Sequence, residues 1–163
     1  MRIIDTLAKD FRVIALDCRG HGKSDKPHDA TKYGNEMIED VARLMDHLNI
    51  PKAHIVGYSM GGAITGKFIT MHPDRVLTAV FGGSVPRLTV AQVRGLKMPM
   101  LAVIGSADPI KVGVDAFMTV LPAMKVVVID GATHSGVRGT PGRPEFVAAV
   151  HDFLAAHRST TSQ

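Results

Sequence analysis

Cysteine occurs once in the 163 residues, at Cys18. No internal disulfide can form, no Cys/His spacing matches a zinc site, and a reducing compartment is the expectation. Long apolar runs are missing too: none approaches the ~18 consecutive apolar residues of a membrane span. The opening Met1-Arg2-Ile3-Ile4-Asp5 has no continuous apolar core of the kind a secretory leader carries. A cytoplasmic protein with no membrane partner is expected. Charge of one sign is nowhere concentrated. The 19 Lys+Arg and 15 Asp+Glu leave a net +4, spread along the chain, which reads as a solvated surface rather than a nucleic-acid footprint. Repeats and low-complexity tracts are absent, and only residues 159–163 read as a frayed polar tail. With 45% hydrophobic residues, the rest (residues 1–158) is expected to form one domain with a sizeable core.

What is present centres on His54-Ile55-Val56-Gly57-Tyr58-Ser59-Met60-Gly61-Gly62-Ala63. An apolar run breaks into glycines around one serine and then becomes helical in pattern, giving strand, sharp turn, helix. Gly57 to Gly61 is a G-x-S-x-G pentapeptide, the signature of a nucleophile elbow. The serine at such a tip takes a strained positive φ, and the strand and helix approach so closely that a Cβ at Gly57 or Gly61 is expected to clash. The first N–H groups of the helix starting near Met60 lack intrahelical partners, so negative charge beside Ser59 is stabilised there. Alone, the pentapeptide reads equally well as an ordinary turn.

Taken in order, residues 3–9 suggest a short helix and residues 11–17, Phe-Arg-Val-Ile-Ala-Leu-Asp, a buried strand. A loop follows over residues 19–27. Met37, Val41, Leu44, Met45 and Leu48 repeat at helical spacing. Then come a strand at 54–57, a helix from Met60 to about His72 that Pro73 helps to stop, and a strand at 76–82. A fourth strand is expected at 100–104, a helix at 114–121 and a fifth strand at 125–130. The closing helix carries Phe146, Val150, Phe153 and Leu154, with Pro144 in its first turn. Five apolar strands alternating with helices define an α/β fold: a mainly parallel sheet covered on both faces.

Ligand sites of such sheets lie outside the carboxyl ends of the strands, and three loops there carry suitable chemistry. Ser59 follows the second strand. Asp108, in Gly105-Ser106-Ala107-Asp108-Pro109, follows the fourth. His134, in Gly131-Ala132-Thr133-His134-Ser135-Gly136, follows the fifth. Their order along the chain is Ser, Asp, His.

These motifs, with Asp17-Cys18-Arg19-Gly20-His21-Gly22-Lys23-Ser24-Asp25-Lys26-Pro27, resemble the α/β-hydrolase superfamily in its esterase and lipase-like branch. Matched residue by residue, the resemblance implies Ser59 as nucleophile, His134 as general base and then acid, and Asp108 as the group orienting the imidazole. The backbone N–H of Met60 becomes one oxyanion donor. A serine in the nucleophile slot argues against the dehalogenase and epoxide hydrolase branches. The chain departs from the family pattern twice. It begins inside what resembles the first helix, without the three preceding strands and their His-Gly loop, and between Ser84 and Met98 it has only about a dozen residues where many members insert a cap.

Other readings stand beside these. Asp108 also suits a helix N-cap. His21, His54, His72, His151 and His157 read as loop, strand or helix-surface residues, and Cys18 as a small buried hydrophobe or a reactive thiol. The methionines read as core, except Met60 at the site. Asp17, Arg19 and Asp25 suggest a structural turn network.

The resulting expectation is a cap-less serine hydrolase of small carboxylic esters that needs no cofactor or metal. The alternatives are an acyltransferase or perhydrolase variant and a non-catalytic protein of the same fold. The apolar edge at residues 11–17 predicts a homo-oligomer. Given the family's strand order, residues 11–17 are also expected to slide against 54–57. That movement would bring an N–H of Gly20, His21 or Gly22 to the oxyanion beside that of Met60.

Overall fold

The computed structural model describes residues 3–86, 88–135 and 139–158; the expected tail at 159–163 and Gly136 of the histidine turn lie outside them. Six helices and four strands follow one another: α1 (Ile3–Leu7), α2 (Asn35–His47), β1 (Ala53–Tyr58), α3 (Met60–Met71), β2 (Val76–Gly82), α4 (Val90–Gly95), β3 (Met100–Gly105), α5 (Lys111–Met118), β4 (Lys125–Ile129) and α6 (Pro144–Ala155). The sheet is parallel throughout, in the order β1-β2-β3-β4.

Alternation along the central strands explains the layers. Ala79 and Phe81 of β2, with Met100, Ala102 and Ile104 of β3, point to one face, where they meet Ile38, Ala42 and Met45 of α2, Phe68 and Ile69 of α3, and Val114 and Phe117 of α5. Val80, Leu101 and Val103 point the other way, onto Phe146, Val150, Phe153 and Leu154 of α6 and Leu7 of α1. Burial on both faces is why β2 and β3 read as continuous apolar runs. Each large core side chain removed from water contributes roughly 1.5–3 kcal/mol. Among its described residues, the connection from Ser84 to Met98 holds one helix, α4, whose entry is fixed by a capping box: Gln92 N–H donates to Thr89 Oγ1, and Thr89 N–H to Gln92 Oε1.

The sheet has four strands rather than the five expected. Residues 11–17 take no helix or strand and join no ladder, and they have not slid against β1. The Phe11 ring meets His54 of β1 edge-on, but the backbone at both ends of the stretch is tied elsewhere. At its start, Phe11 N–H donates to Leu7 C=O, and the ring lies under the Arg158 guanidinium and edge-on to His151. At its end, Asp17 takes Lys23 N–H on Oδ2 and the Ser24 hydroxyl on its carbonyl. Arg19 grips Asp40 of α2 with two bonds of 2.6 Å. A groove of about 410 Å³ therefore remains between the stretch and β1, with a second of about 330 Å³ continuing it toward Leu154.

Candidate active site

Ser59 sits between β1 and α3 at φ 51° and ψ −112°. This strained conformation persists only because the structure around it is over-determined. A Cβ on Gly57 would lie 2.1 Å from the Gly61 carbonyl oxygen, so that glycine is dictated by close approach. Gly61 differs from expectation: its Cβ would meet nothing within 4 Å, whereas one on Gly62 would lie 2.3 Å from Ser84 Cβ. The tight contact of α3 is with the chain leaving β2, one residue beyond the pentapeptide. Ser59 N–H is used by Gly82 C=O, and Gly62 and Ala63 N–H return to Ser59 C=O. The N–H groups of Met60 and Gly61 have no acceptor among the described residues. They are the open donors of a helix N-terminus.

Asp108 and His134 reach Ser59 from the ends of β3 and β4. Ser59 Oγ lies 2.9 Å from His134 Nε2, and His134 Nδ1 lies 2.8 Å from Asp108 Oδ2. A carboxylate only accepts, so the proton sits on Nδ1, and Nε2 is free to accept from the serine hydroxyl. The Asp108 side chain is fully buried, and that of His134 is 29% exposed. Asp108 Oδ1 accepts from Ile110 N–H at 2.9 Å while α5 begins at Lys111. The carboxylate thus closes a local turn with one oxygen and holds the imidazole with the other, and the N-cap position belongs to Ile110. Anchored by this turn, α5 starts earlier than the apolar spacing at 114–121 predicts.

The two loops are tied together. Ser106 hydroxyl donates to Asp130 and accepts from Gly131 N–H at 2.8 Å, and Ala107 N–H donates to Ala132 C=O. Thr140 donates to Thr133 C=O through both N–H and hydroxyl. Tyr58 supplies a further tie that the sequence reading missed: its hydroxyl donates to the His134 carbonyl, and its ring packs on the imidazole at 5.6 Å. Burial pushes the Tyr58 phenol up, so it keeps its proton as donor. An aromatic residue with a polar tip beside the serine was the available signal.

The other expected residues lie apart from this chain of bonds. Gly20 stands against the Tyr33 ring and Gly22 against the Asp17 carboxylate, while the His21 ring bonds Arg19 C=O. None of the three has a described contact with Ser59, and the slide that was to carry them there has not occurred. Asp17 and Asp25 brace the turn, Asp17 through Lys23 and Ser24 and Asp25 through its carbonyl, which accepts from Gly20 N–H, whereas the Arg19 side chain leaves it for Asp40 and Lys32 C=O. Cys18 is partly buried beside the groove, where desolvation raises its pKa. No helix among the described residues is long and apolar enough to cross a membrane.

Parallel sheet, elbow and a Ser-His-Asp chain at the strand ends define the class, and the chain belongs to the alpha/beta hydrolase fold family, whose profile matches residues 1–110. It is similar to the dihydrolipoyllysine-residue acetyltransferase component of the acetoin cleaving system of Pseudomonas putida: 49% identity over 72 residues, 43% of this chain and 19% of that protein. It is also similar to 3-oxoadipate enol-lactonase 2 of Acinetobacter baylyi, with 37% identity over 83 residues, 50% of this chain and 30% of that one. The chain thus spans a third or less of the length of these relatives. Among solved structures, an esterase of Rhodococcus sp. ECU1013 superposes with a TM-score of 0.79 at 18% identity, covering 96% of this chain and 84% of that chain. That is a likeness of fold.

Proposed function

We propose that the chain is a serine hydrolase of small carboxylic esters. The observation that carries this reading is the unbroken hydrogen-bond path from Ser59 Oγ through His134 to buried Asp108, set beside the unpaired Met60 N–H. In this mechanism Ser59 attacks the acyl carbon while His134 Nε2 takes its proton. Asp108 holds the tautomer and stabilises the imidazolium, and the Met60 N–H receives the oxyanion. His134 protonates the leaving alcohol, and a water deprotonated by the same nitrogen then releases the acid from Ser59. No cofactor enters these steps. The short connection carrying α4 offers little apolar wall for a long acyl chain at ~0.8 kcal/mol per CH₂, so acetate and butyrate esters are the preferred class. Hydrolysis of p-nitrophenyl acetate tests the proposal: turnover that is lost in Ser59→Ala supports it, and equal rates in the two proteins refute it. The similarity to an acetyltransferase component favours, as second reading, transfer of the acyl group from Ser59 to an alcohol or thiol. Added acceptor would then increase product without changing the rate of acyl-enzyme formation.

A further inference from the structure

His134 follows β4, three strand spacings from β1 and its serine, or about 14 Å. Over that reach a small rotation of the backbone at His134 moves Nε2 off Ser59, and a misplacement of about 1 Å can cost ~10²-fold in rate. The direction of the side chain is set by the two peptide groups that flank it. Both are held. The carbonyl of His134 itself, in the peptide that follows, accepts from the Tyr58 hydroxyl. Thr133 C=O, in the peptide that precedes, takes two donors from one residue: Thr140 N–H at 2.9 Å and the Thr140 hydroxyl at 3.1 Å. The Thr133 hydroxyl closes the turn over His134 by donating to Ser135 C=O at 2.9 Å.

Thr140 is a fully buried polar residue. Space for its hydroxyl exists because Gly105, where the Asp108 loop leaves β3, has no side chain: a Cβ there would lie 2.9 Å from Thr140 Oγ1. On its other side Thr140 C=O accepts from Arg143 N–H, at the entry to α6. The hydroxyl thus stands where the acid loop, the histidine loop and α6 meet. The Tyr58 phenol is its neighbour, for burial pushes that pKa up while the Thr140 hydroxyl opposes the rise. One donor satisfies a carbonyl, and Thr140 N–H is that donor for Thr133. A second donor takes the remaining lone pair and fixes the rotation of the peptide plane.

We propose, building on the serine hydrolase reading above, that the Thr140 hydroxyl is a positioning group for the general base. With Tyr58 on the other flank it locks the backbone of His134, so that the imidazole meets Ser59 Oγ and Asp108 Oδ2 at once. Thr140 itself touches neither substrate nor the reacting atoms.

Steady-state cleavage of p-nitrophenyl acetate by the full chain tests this, in wild type, Ser59→Ala, Thr140→Val, Thr140→Ser, Tyr58→Phe and the double variant Thr140→Val/Tyr58→Phe. Valine keeps the volume, the branch and the N–H bond and deletes only the hydroxyl. In Thr140→Val, kcat should be at least about tenfold lower, with KM within about twofold of wild type. Thr140→Ser restores the donor and should return kcat to within about threefold of wild type. Because both clamps act on one residue, the loss in the double variant should fall well short of the product of the two single losses. If Thr140→Val does not fold, Thr140→Ala replaces it and must show the same deficit against Thr140→Ser. The proposal alone is overturned, with Ser59-dependent turnover intact, by a wild-type kcat in Thr140→Val, by equal losses in Thr140→Val and Thr140→Ser, by a change confined to KM, or by fully multiplicative losses. Wild-type turnover no faster than that of Ser59→Ala overturns both the proposal and the hydrolase reading.

Discussion

The hydroxyl of Tyr58 donates to the backbone carbonyl of His134, so the residue immediately before the serine holds the loop that carries the imidazole. The same ring packs against Phe146 of α6 at 5.9 Å. Tyr58→Phe keeps both ring contacts and removes one partner of a half-buried carbonyl. The expected costs are about 0.5–1.5 kcal/mol of stability and a roughly tenfold lower kcat, equivalent to ~1.4 kcal/mol, with KM nearly unchanged. A thermal melt and a steady-state assay with a short-chain ester check this. An unchanged kcat would mean that the ties from Ser106, Ala107 and Thr140 hold the loop without Tyr58.

The elbow glycines should respond unequally. Gly61→Ala meets open space and replaces glycine in a helix, so it should be neutral or stabilising by up to about 1 kcal/mol. Gly62→Ala drives a methyl into Ser84 and should cost about 1–3 kcal/mol. Gly57→Ala presses on the Gly61 carbonyl and should displace Ser59 itself. Denaturant melts of the three variants measure the order directly.

Asp108→Asn separates folding from catalysis. Its side-chain oxygen can still accept from Ile110 N–H, so the turn into α5 survives. Its amide, facing His134 Nδ1, favours the wrong tautomer. The rate of ester cleavage should fall by about 10⁴ while the melting temperature shifts little. Near-full activity in this variant would remove Asp108 from the mechanism.

Stability at mildly acid pH should depend on His54. Burial holds its pKa below the ordinary imidazole value, with repulsion from His157 adding to the effect, and the ring is bonded to Thr78 Oγ1 at 2.8 Å. Because the folded pKa is depressed, the contribution of neutral His54 is present above the unfolded value of about 6.5 and is lost as pH falls through the folded value. His151 has the opposite sign. Asp152 and then Asp10 raise its pKa, so its contribution is present below about 6.5 and fades as pH rises through the folded value; exposure to solvent keeps it small. Melts at pH 7.5 and 5.5 should show a smaller acid loss in His54→Gln than in wild type, and a slightly larger one in His151→Gln.

The buried strands were legible because β3 is an apolar run up to its terminal glycine and β2 is one broken only by Thr78, and the loops at strand ends were legible because their glycines and polar residues interrupt those runs. The structure then brings Ser59, Asp108 and His134 together. Residues 11–17 carry an equally apolar pattern and form no strand, because a strand is defined by its partner and the backbone pattern is silent on whether one is present. The tight glycine was misassigned to Gly61 because the motif gives spacing, whereas the direction of each Cβ on α3 decides which residue meets Ser84. Tyr58 was missed for a related reason: at the end of a strand an aromatic residue reads as core, and its hydroxyl finds a partner 76 residues away.

A Ser59 hydroxyl activated by His134 should react with an electrophilic phosphonyl fluoride. Intact-protein mass spectrometry after incubation with a fluorophosphonate, followed by peptide mapping, tests it most directly. The expected product carries one phosphonyl group per chain, located on Ser59, absent from Ser59→Ala and formed at least a hundredfold more slowly in His134→Ala, because general-base assistance is removed. Wild-type protein that stays unlabelled, or that is labelled elsewhere at the same rate in Ser59→Ala, would contradict it.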